Sequence, residues 1–219
     1  MAKRPVFEVC GNAPYFVEKM TEFKFYSGFS TAQKKRSVES LQQAYLALDP
    51  EKKILEISSV SDKPLGDALS AFNLMIMPKN EKPYSVECAF QAAKVFENGG
   101  PYTDLLHGTS KQAKTDPRIR ESGNIIGFRL WGIDFPSEPK TFFYNWLYHK
   151  ALNTHPELYK DLLEYDAFTD IMFTPERSLN CQARSAAVFV SLFRAEKLEE
   201  ALNSQEDYLR IVYGLESAR

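Results

Sequence analysis

Glu87, Gln91 and Lys94 are the residues of this chain whose types and spacing can do chemistry. If Ser85-Val86-Glu87-Cys88-Ala89-Phe90-Gln91-Ala92-Ala93-Lys94-Val95-Phe96 forms one helix, then at ~100° per residue the three polar side chains share an arc of about 60°. Ala89, Phe90, Ala92, Ala93, Val95 and Phe96 cover most of the remaining circumference. A narrow polar stripe on an apolar helix implies a mostly buried helix whose stripe lines a cavity, because buried charge is costly unless paired or used. Two readings stay open. Glu87 and Lys94 form a buried ion pair, or both converge on one ligand; seven residues set their Cα atoms ~10 Å apart along the axis, long for a neighbouring-turn pair. A lysine in apolar surroundings can lose its charge and act as a nucleophile or Schiff-base former, and a nearby carboxylate can move protons. That pair suits chemistry at a sugar C1, where departure of an N-linked base leaves an oxocarbenium-like centre that water or an amine captures.

The elements that must position these residues follow from start and stop signals. Pro83 and a capping Ser85 precede the central helix, and Gly99-Gly100-Pro101 ends it as a turn. Residues 5–29 are aromatic and alternating, which predicts short strands, and Ser30 caps a helix over 31–48 that Asp49-Pro50 ends. A strand is expected over 53–59, a loop over 62–66, and a turn leading into a short buried strand over 68–77. After the central helix come a helix at 102–106, a polar, charged connection over 110–120, and a strand over 125–131. Helices are expected over 141–153 and 157–165, with a short strand over 170–173 between the latter and a buried helix over 180–193. One amphipathic helix over 196–215 follows. No repeat, low-complexity tract or linker interrupts this order, so the expectation is a single, mostly helical α+β domain with a few short strands over 1–219.

Composition bounds the function. The chain has 219 residues, is 44% hydrophobic and carries a formal net charge of -2, so no global attraction to polyanions exists. Local basic clusters, Lys34-Lys35-Arg36 and Lys111, Lys114, Arg118 and Arg120, read first as solvated helix faces. Cys10, Cys88 and Cys181 are an odd, widely spaced set that fits neither a disulfide framework nor a zinc site. The N-terminus lacks the apolar core of an export signal and no stretch approaches the ~18 apolar residues of a membrane span, so the expectation is a cytoplasmic protein without a membrane partner. His107, His149 and His155 lack metal-ligand spacing, and no Gly-x-Ser-x-Gly elbow, phosphate-binding loop or dinucleotide fingerprint is present. Neither a metal nor a cofactor is called for.

The central stretch resembles the Glu-aromatic-aromatic-Gln-Ala-x-Lys-Phe helix of the NADAR superfamily, named for NAD and ADP-ribose chemistry. Leu69-Ser70-Ala71-Phe72-Asn73 resembles its Leu-Ser-Asn-Phe segment, Ala151-Leu152-Asn153-Thr154-His155-Pro156-Glu157-Leu158 its Lys-Phe-x-x-Asn-Pro-x-Leu region, and Asn180 opens the late helix as its Asn-x-Leu-Gly segment does. Phe25-Tyr26-Ser27-Gly28-Phe29-Ser30, Gln33-Lys34 and Leu55-Glu56-Ile57-Ser58-Ser59 resemble one branch, the NADAR antitoxins paired with DarT-type DNA ADP-ribosyltransferases. Ala71 in place of Asn, the missing Trp-Gly, and Asn180-Cys181-Gln182-Ala183 set the chain apart from the small-molecule branch, whose members cleave a riboflavin-pathway intermediate.

The resemblance implies a NADAR-like fold and an ADP-ribosyl N-glycosidase that removes ADP-ribose from guanine bases of DNA, releasing ADP-ribose and reversing a DarT-type toxin. By the same resemblance Glu87 is the acid/base, Lys94 the catalytic amine, and Ser70, Phe72 and Asn73 line the ADP-ribose site, with Asp170, Asn180 and Arg184 joining from the late segment and Gln91 positioning the pair. Two alternatives remain: an N-glycosidase acting on a free ribosylated metabolite, and a non-catalytic ADP-ribose or NAD binding module.

Overall fold

A computed structural model describes residues 1–79, 81–176 and 178–215. The chain is α+β. It begins with strands β1 (Ala2–Val9) and β2 (Phe16–Phe23), helix α1 (Thr31–Leu46), strand β3 (Ile54–Glu56) and helix α2 (Pro64–Ala68). Then come β4 (Met75–Ile76), β5 (Tyr84–Ser85), α3 (Val86–Ala92), β6 (Lys94–Phe96), a 3-10 turn (Thr103–His107), α4 (Ser110–Thr115) and α5 (Arg118–Glu121). The chain continues through β7 (Ile125–Leu130), β8 (Ile133–Pro136), α6 (Phe142–Asn153), α7 (Pro156–Leu162), β9 (Ala167–Thr169), α8 (Gln182–Arg194), α9 (Leu198–Asn203) and α10 (Gln205–Tyr213). Two compact units result, one built from 1–70 and 155–219 and the other from 71–154.

The first unit holds a sheet of order β2-β1-β9-β3, in which β1 runs antiparallel to both neighbours and β3 parallel to β9. Pro5 is tolerated inside β1 because β9 pairs only with Phe7 and Glu8, so its missing N–H interrupts no bond on that side. Ser30 caps α1 by accepting the Gln33 N–H, and Ser37, Val38, Leu41 and Tyr45 recur at helical spacing on its buried face. That face closes a core with Val6, Phe23, Ile54, Val60, Ala167 and Ile171. The unbroken buried run from Pro5 to Glu8 shows that β1 is covered on both faces, and α8 packs against β1, β2 and β9.

Several expectations shift here. Residues 62–66 are not simply a loop: Pro64 starts α2, whose Gly66 lies so close to the end of β3 that a Cβ would sit 2.0 Å from the Glu56 carbonyl. The strand expected at 170–173 is β9, ending at Thr169, because the Asp170 carboxylate accepts the N–H groups of Met172 and Phe173 and turns the chain. The late helix starts at Gln182, so Asn180 precedes it. The single terminal helix is two, since Ser204 takes an extended conformation and caps α10 through the Asp207 N–H.

The second unit packs α3 and α6 with a three-stranded antiparallel sheet of order β6-β7-β8 and a β4-β5 pair. Phe90 stacks with Phe128 and Phe143 and meets Tyr144 edge-on, while Phe135 packs against Phe143 and Trp146. α6 is buried nearly all round, which explains its weak amphipathic signal. β8 was not anticipated: β7 turns back through Trp131 and Gly132, both at positive φ (53° and 74°), into a tight hairpin. The expected connection over 110–120 holds two short helices. A capping box between Thr109 and Gln112 starts α4, and Arg118 bridges Asp104 and Asp116.

Candidate functional site

The central helix is shorter than its sequence suggests, and that difference builds the site. Ser85 caps α3 by accepting the Cys88 N–H (3.1 Å). The other free N–H groups of the first turn go to the chain just upstream, Val86 N–H to the Leu74 carbonyl (2.9 Å) and Glu87 N–H to the Ala71 carbonyl (2.8 Å). Ser110 donates to the Phe72 carbonyl (2.9 Å), which leaves the Ser85 hydroxyl as donor to Ser110 (2.7 Å). A relay of two hydroxyls thus fastens Phe72 and the start of α4 to the start of α3.

After Ala92 the helix gives way to strand. Lys94-Val95-Phe96 pairs with β7, Lys94 opposite Phe128, and the Arg129 N–H closes on the Ala93 carbonyl (2.7 Å). Gly100 is more than a turn residue. At φ 81° it packs against Lys94, where an added Cβ would stand 2.3 Å from the Lys94 carbonyl, so only glycine fits.

Ala93 keeps a helical conformation (φ -73°, ψ -15°), so Lys94 leaves the helix on the side where Glu87 and Gln91 stand. The three side chains form one hydrogen-bonded line: the Lys94 ammonium donates to Gln91 Oε1 (2.7 Å) and Gln91 Nε2 donates to Glu87 Oε1 (2.9 Å). Only one orientation of the Gln91 amide serves both neighbours, an oxygen toward the amine and a nitrogen toward the carboxylate. The direct Glu87–Lys94 ion pair weighed from the sequence is therefore replaced by an amide-bridged pair. Glu87, Gln91 and Lys94 are 5%, 6% and 9% exposed, so the line is nearly dry.

Burial lowers the Lys94 pKa to about 8, with the positive charge of Lys114 acting in the same direction and Glu87 opposing both. Its Nζ also lies 4.8 Å from the centroid of Phe90, a contact that favours the charged form but does not offset the loss of water. An amine near neutrality with a carboxylate two bonds away along a hydrogen-bonded line can attack an electrophilic carbon and exchange protons.

Lys114 is the member of this group that sequence reasoning placed in a solvated cluster. From α4 its Nζ reaches Glu87 Oε1 at 3.7 Å and lies 5.0 Å over the Phe72 ring, with its side chain 57% exposed. The signal that would have found it is Thr109-x-x-Gln112, a capping box that starts a helix and orients Lys114. Phe72 is half-buried and Asn73 exposed in the same unit.

The remaining candidates belong to the first unit. Ser70 is buried and its hydroxyl has no hydrogen-bond partner; the same is true of Asn180 Oδ1 and Arg184 Nε. Arg184 otherwise donates through Nη2 to the Leu179 carbonyl and lies 5.9 Å from the Phe16 ring. Asp170 is 8% exposed and bound to its own turn. Among the described residues no three His, Cys, Asp or Glu side chains gather as they would around a metal ion, and no helix is long and apolar enough to cross a membrane.

The family described as DarT1-associated NADAR antitoxin has a sequence model that matches residues 2–219. No curated protein matches the chain.

Proposed function

The chain belongs to the DarT1-associated NADAR antitoxin family, and from that premise we propose that it is an ADP-ribosyl N-glycosidase that strips ADP-ribose from guanine bases of DNA. The observation that carries this reading is the buried Glu87–Gln91–Lys94 line with its amine held near pKa 8. In this reading Glu87 gives a proton to the departing guanine nitrogen as the C1–N bond breaks, and the uncharged Lys94 amine forms the new bond to C1. The product is a lysyl glycosylamine; its C1–ring-oxygen bond breaks as that oxygen takes the proton shed by the amine, leaving an open-chain lysyl imine. Water then adds at C1, expelling the amine and freeing ADP-ribose, so one water is consumed and the guanine amine is restored. Gln91 holds donor and acceptor in register, and Lys114 balances the charge of Glu87 as it cycles.

Further support comes from Ser70, Asn180 and Arg184. Buried polar atoms without partners are rare in folded proteins; among the described residues five side chains carry one, Arg4 and Trp146 together with Ser70, Asn180 and Arg184, and the last three are residues assigned to ADP-ribose by resemblance. A ligand rich in hydroxyl and phosphate oxygens would satisfy a hydroxyl and a guanidinium N–H. The antitoxin role follows from the same reading: the substrate is the lesion a DarT-type toxin leaves, and DNA carrying ADP-ribosylated guanosine is the form in which it arrives. The test is direct. ADP-ribosylated guanosine DNA is incubated with wild type, Lys94→Ala and Glu87→Ala, and free ADP-ribose is measured; equal release by all three ends the proposal.

A further inference from the structure

The hairpin between β7 and β8 breaks a local rule. Residues at its tip need positive φ, which asparagine and glycine adopt freely; Gly132 obeys, but the first position is Trp131 at φ 53°. A bulky residue there is strained by roughly 1 kcal/mol or more and persists only where its surroundings hold it. Trp131 is held. Its Nε1–H donates to the hydroxyl of the buried Tyr84 (2.8 Å), and its ring leans on Trp146 at 6.2 Å. Yet 47% of the residue remains open to solvent. An aromatic plane that is strained, pinned and half-exposed is a platform waiting for a flat partner.

Beside it lies a cavity of about 480 Å³, lined among others by Ala92, Asp104, His107, Arg129, Trp131 and Gly132. That volume is within the range of small-ligand sites. Its charges do not suit a phosphate: Arg129 is paired with Asp134 (2.5 Å), Asp104 with Arg118 (2.7 Å), and Glu81 on the rim adds a further acid. The Glu81 carboxylate suits the ring or exocyclic N–H donors of a base. The cavity also borders the backbone that leads into Lys94. Ala92 stands two residues before Lys94, and Trp131 follows by three residues the Phe128 that pairs with Lys94, about 10 Å along the strand.

We infer that this cavity is a nucleobase subsite, with Trp131 as its stacking face. The inference rests on the glycosidase reading for its choice of ligands, since both the ADP-ribose and the DNA of that substrate carry bases. Base stacking on an aromatic side chain weakens by about fivefold or more on truncation to alanine. Trp131 acts on binding alone and takes no part in bond breaking.

The experiment uses the tryptophan itself. The chain has two tryptophans, so Trp146→Phe leaves Trp131 as the sole reporter. Its fluorescence is titrated with ADP-ribose, with an unmodified single-stranded oligonucleotide, and with ribose 5-phosphate, which lacks a base. Saturable quenching by ADP-ribose assigns the adenine to the cavity; quenching by the oligonucleotide alone assigns a base of the DNA strand. No quenching by either, or equal quenching by ribose 5-phosphate, overturns the inference. In the otherwise intact chain, calorimetry should show the same ligand bound about tenfold more weakly by Trp131→Ala and nearly normally by Trp131→Tyr, with unfolding temperatures reporting any loss of fold; equal affinity in all three also overturns it. Binding is read without turnover, so the outcomes separate. A quench without ADP-ribose release leaves the subsite standing and removes the glycosidase, and release without a quench does the reverse.

Discussion

Glu87 and Glu56 are both carboxylates almost without solvent, at 5% and 1% exposure, but they live among different neighbours. Glu56, in the first unit, accepts from the Ser58 hydroxyl (2.7 Å), the Thr169 hydroxyl (2.6 Å) and the Ile171 N–H (2.8 Å). Every partner is a neutral donor that cannot change its charge, and burial outweighs them, raising its pKa. Glu87, in the second unit, is tied through an amide to one amine and faces a second that is open to water. Burial alone therefore does not mark a reactive carboxylate. What distinguishes the second unit is that one group tied to the acid, the Lys94 amine, can itself gain or lose a proton near physiological pH.

The sharpest way to break that contrast is Lys94→Ala. On the glycosidase reading it should lower ADP-ribose release from modified DNA by about a thousandfold while the unfolding temperature stays near wild type. Loss of the fold in place of loss of turnover would make Lys94 a structural residue like Glu56. For the wild type, release should rise with pH until about 8 and then level, as the amine sheds its proton. Stability gives an independent check with a defined sign. The folded Lys94 pKa lies below the ordinary 10.5, so between about 8 and 10.5 the unfolded chain holds more protons and stability increases with pH. Lys94→Met should abolish that increase.

Next in size is Glu56→Ala, which strands two hydroxyls and an N–H in the first unit and should cost about 3 kcal/mol in denaturant unfolding. Glu56→Gln should be far milder. Because the folded Glu56 pKa is raised above 4.5, stability falls as pH rises from 4.5 through that pKa, and the glutamine variant should lose this fall. Neither variant should alter ADP-ribose release per folded molecule; a large drop would show that the two carboxylates do not divide into a structural and a reactive one.

A smaller effect is expected from Gln91→Leu, which keeps both charges but removes the bridge. Release should fall by about ten- to a hundredfold, with a shifted pH profile. Lys114→Ala should give the smallest change, a few-fold at neutral pH. The positive charge of Lys114 depresses the Lys94 pKa, so its removal should move the release profile to higher pH, a shift that pH-rate measurements would detect.

Much of this was legible in the residues. Ser30 and Ser85 cap the helices they were expected to cap, and the polar spacing of Glu87 and Gln91 on an apolar helix already implied burial. These signals are local: a cap satisfies N–H groups within a turn, and a stripe needs only the helical period. Lys94 shows where local reasoning stops. Nothing within 85–96 breaks a helix, and the chain leaves it because β7 offers Lys94-Val95-Phe96 strand partners from about thirty residues away. Likewise Lys114 joins the site only when α4 has been fastened to Phe72 and Ser85, and Gly100 is needed only because the Lys94 carbonyl passes within reach. Composition and spacing decided that this chain carries a buried acid, amide and amine in that order. Tertiary structure decided that the amide would bridge the other two, that the amine would be dry enough to titrate near 8, and that a strained tryptophan would be held against Tyr84 and Trp146, because each depends on partners distant in the chain that no local period encodes.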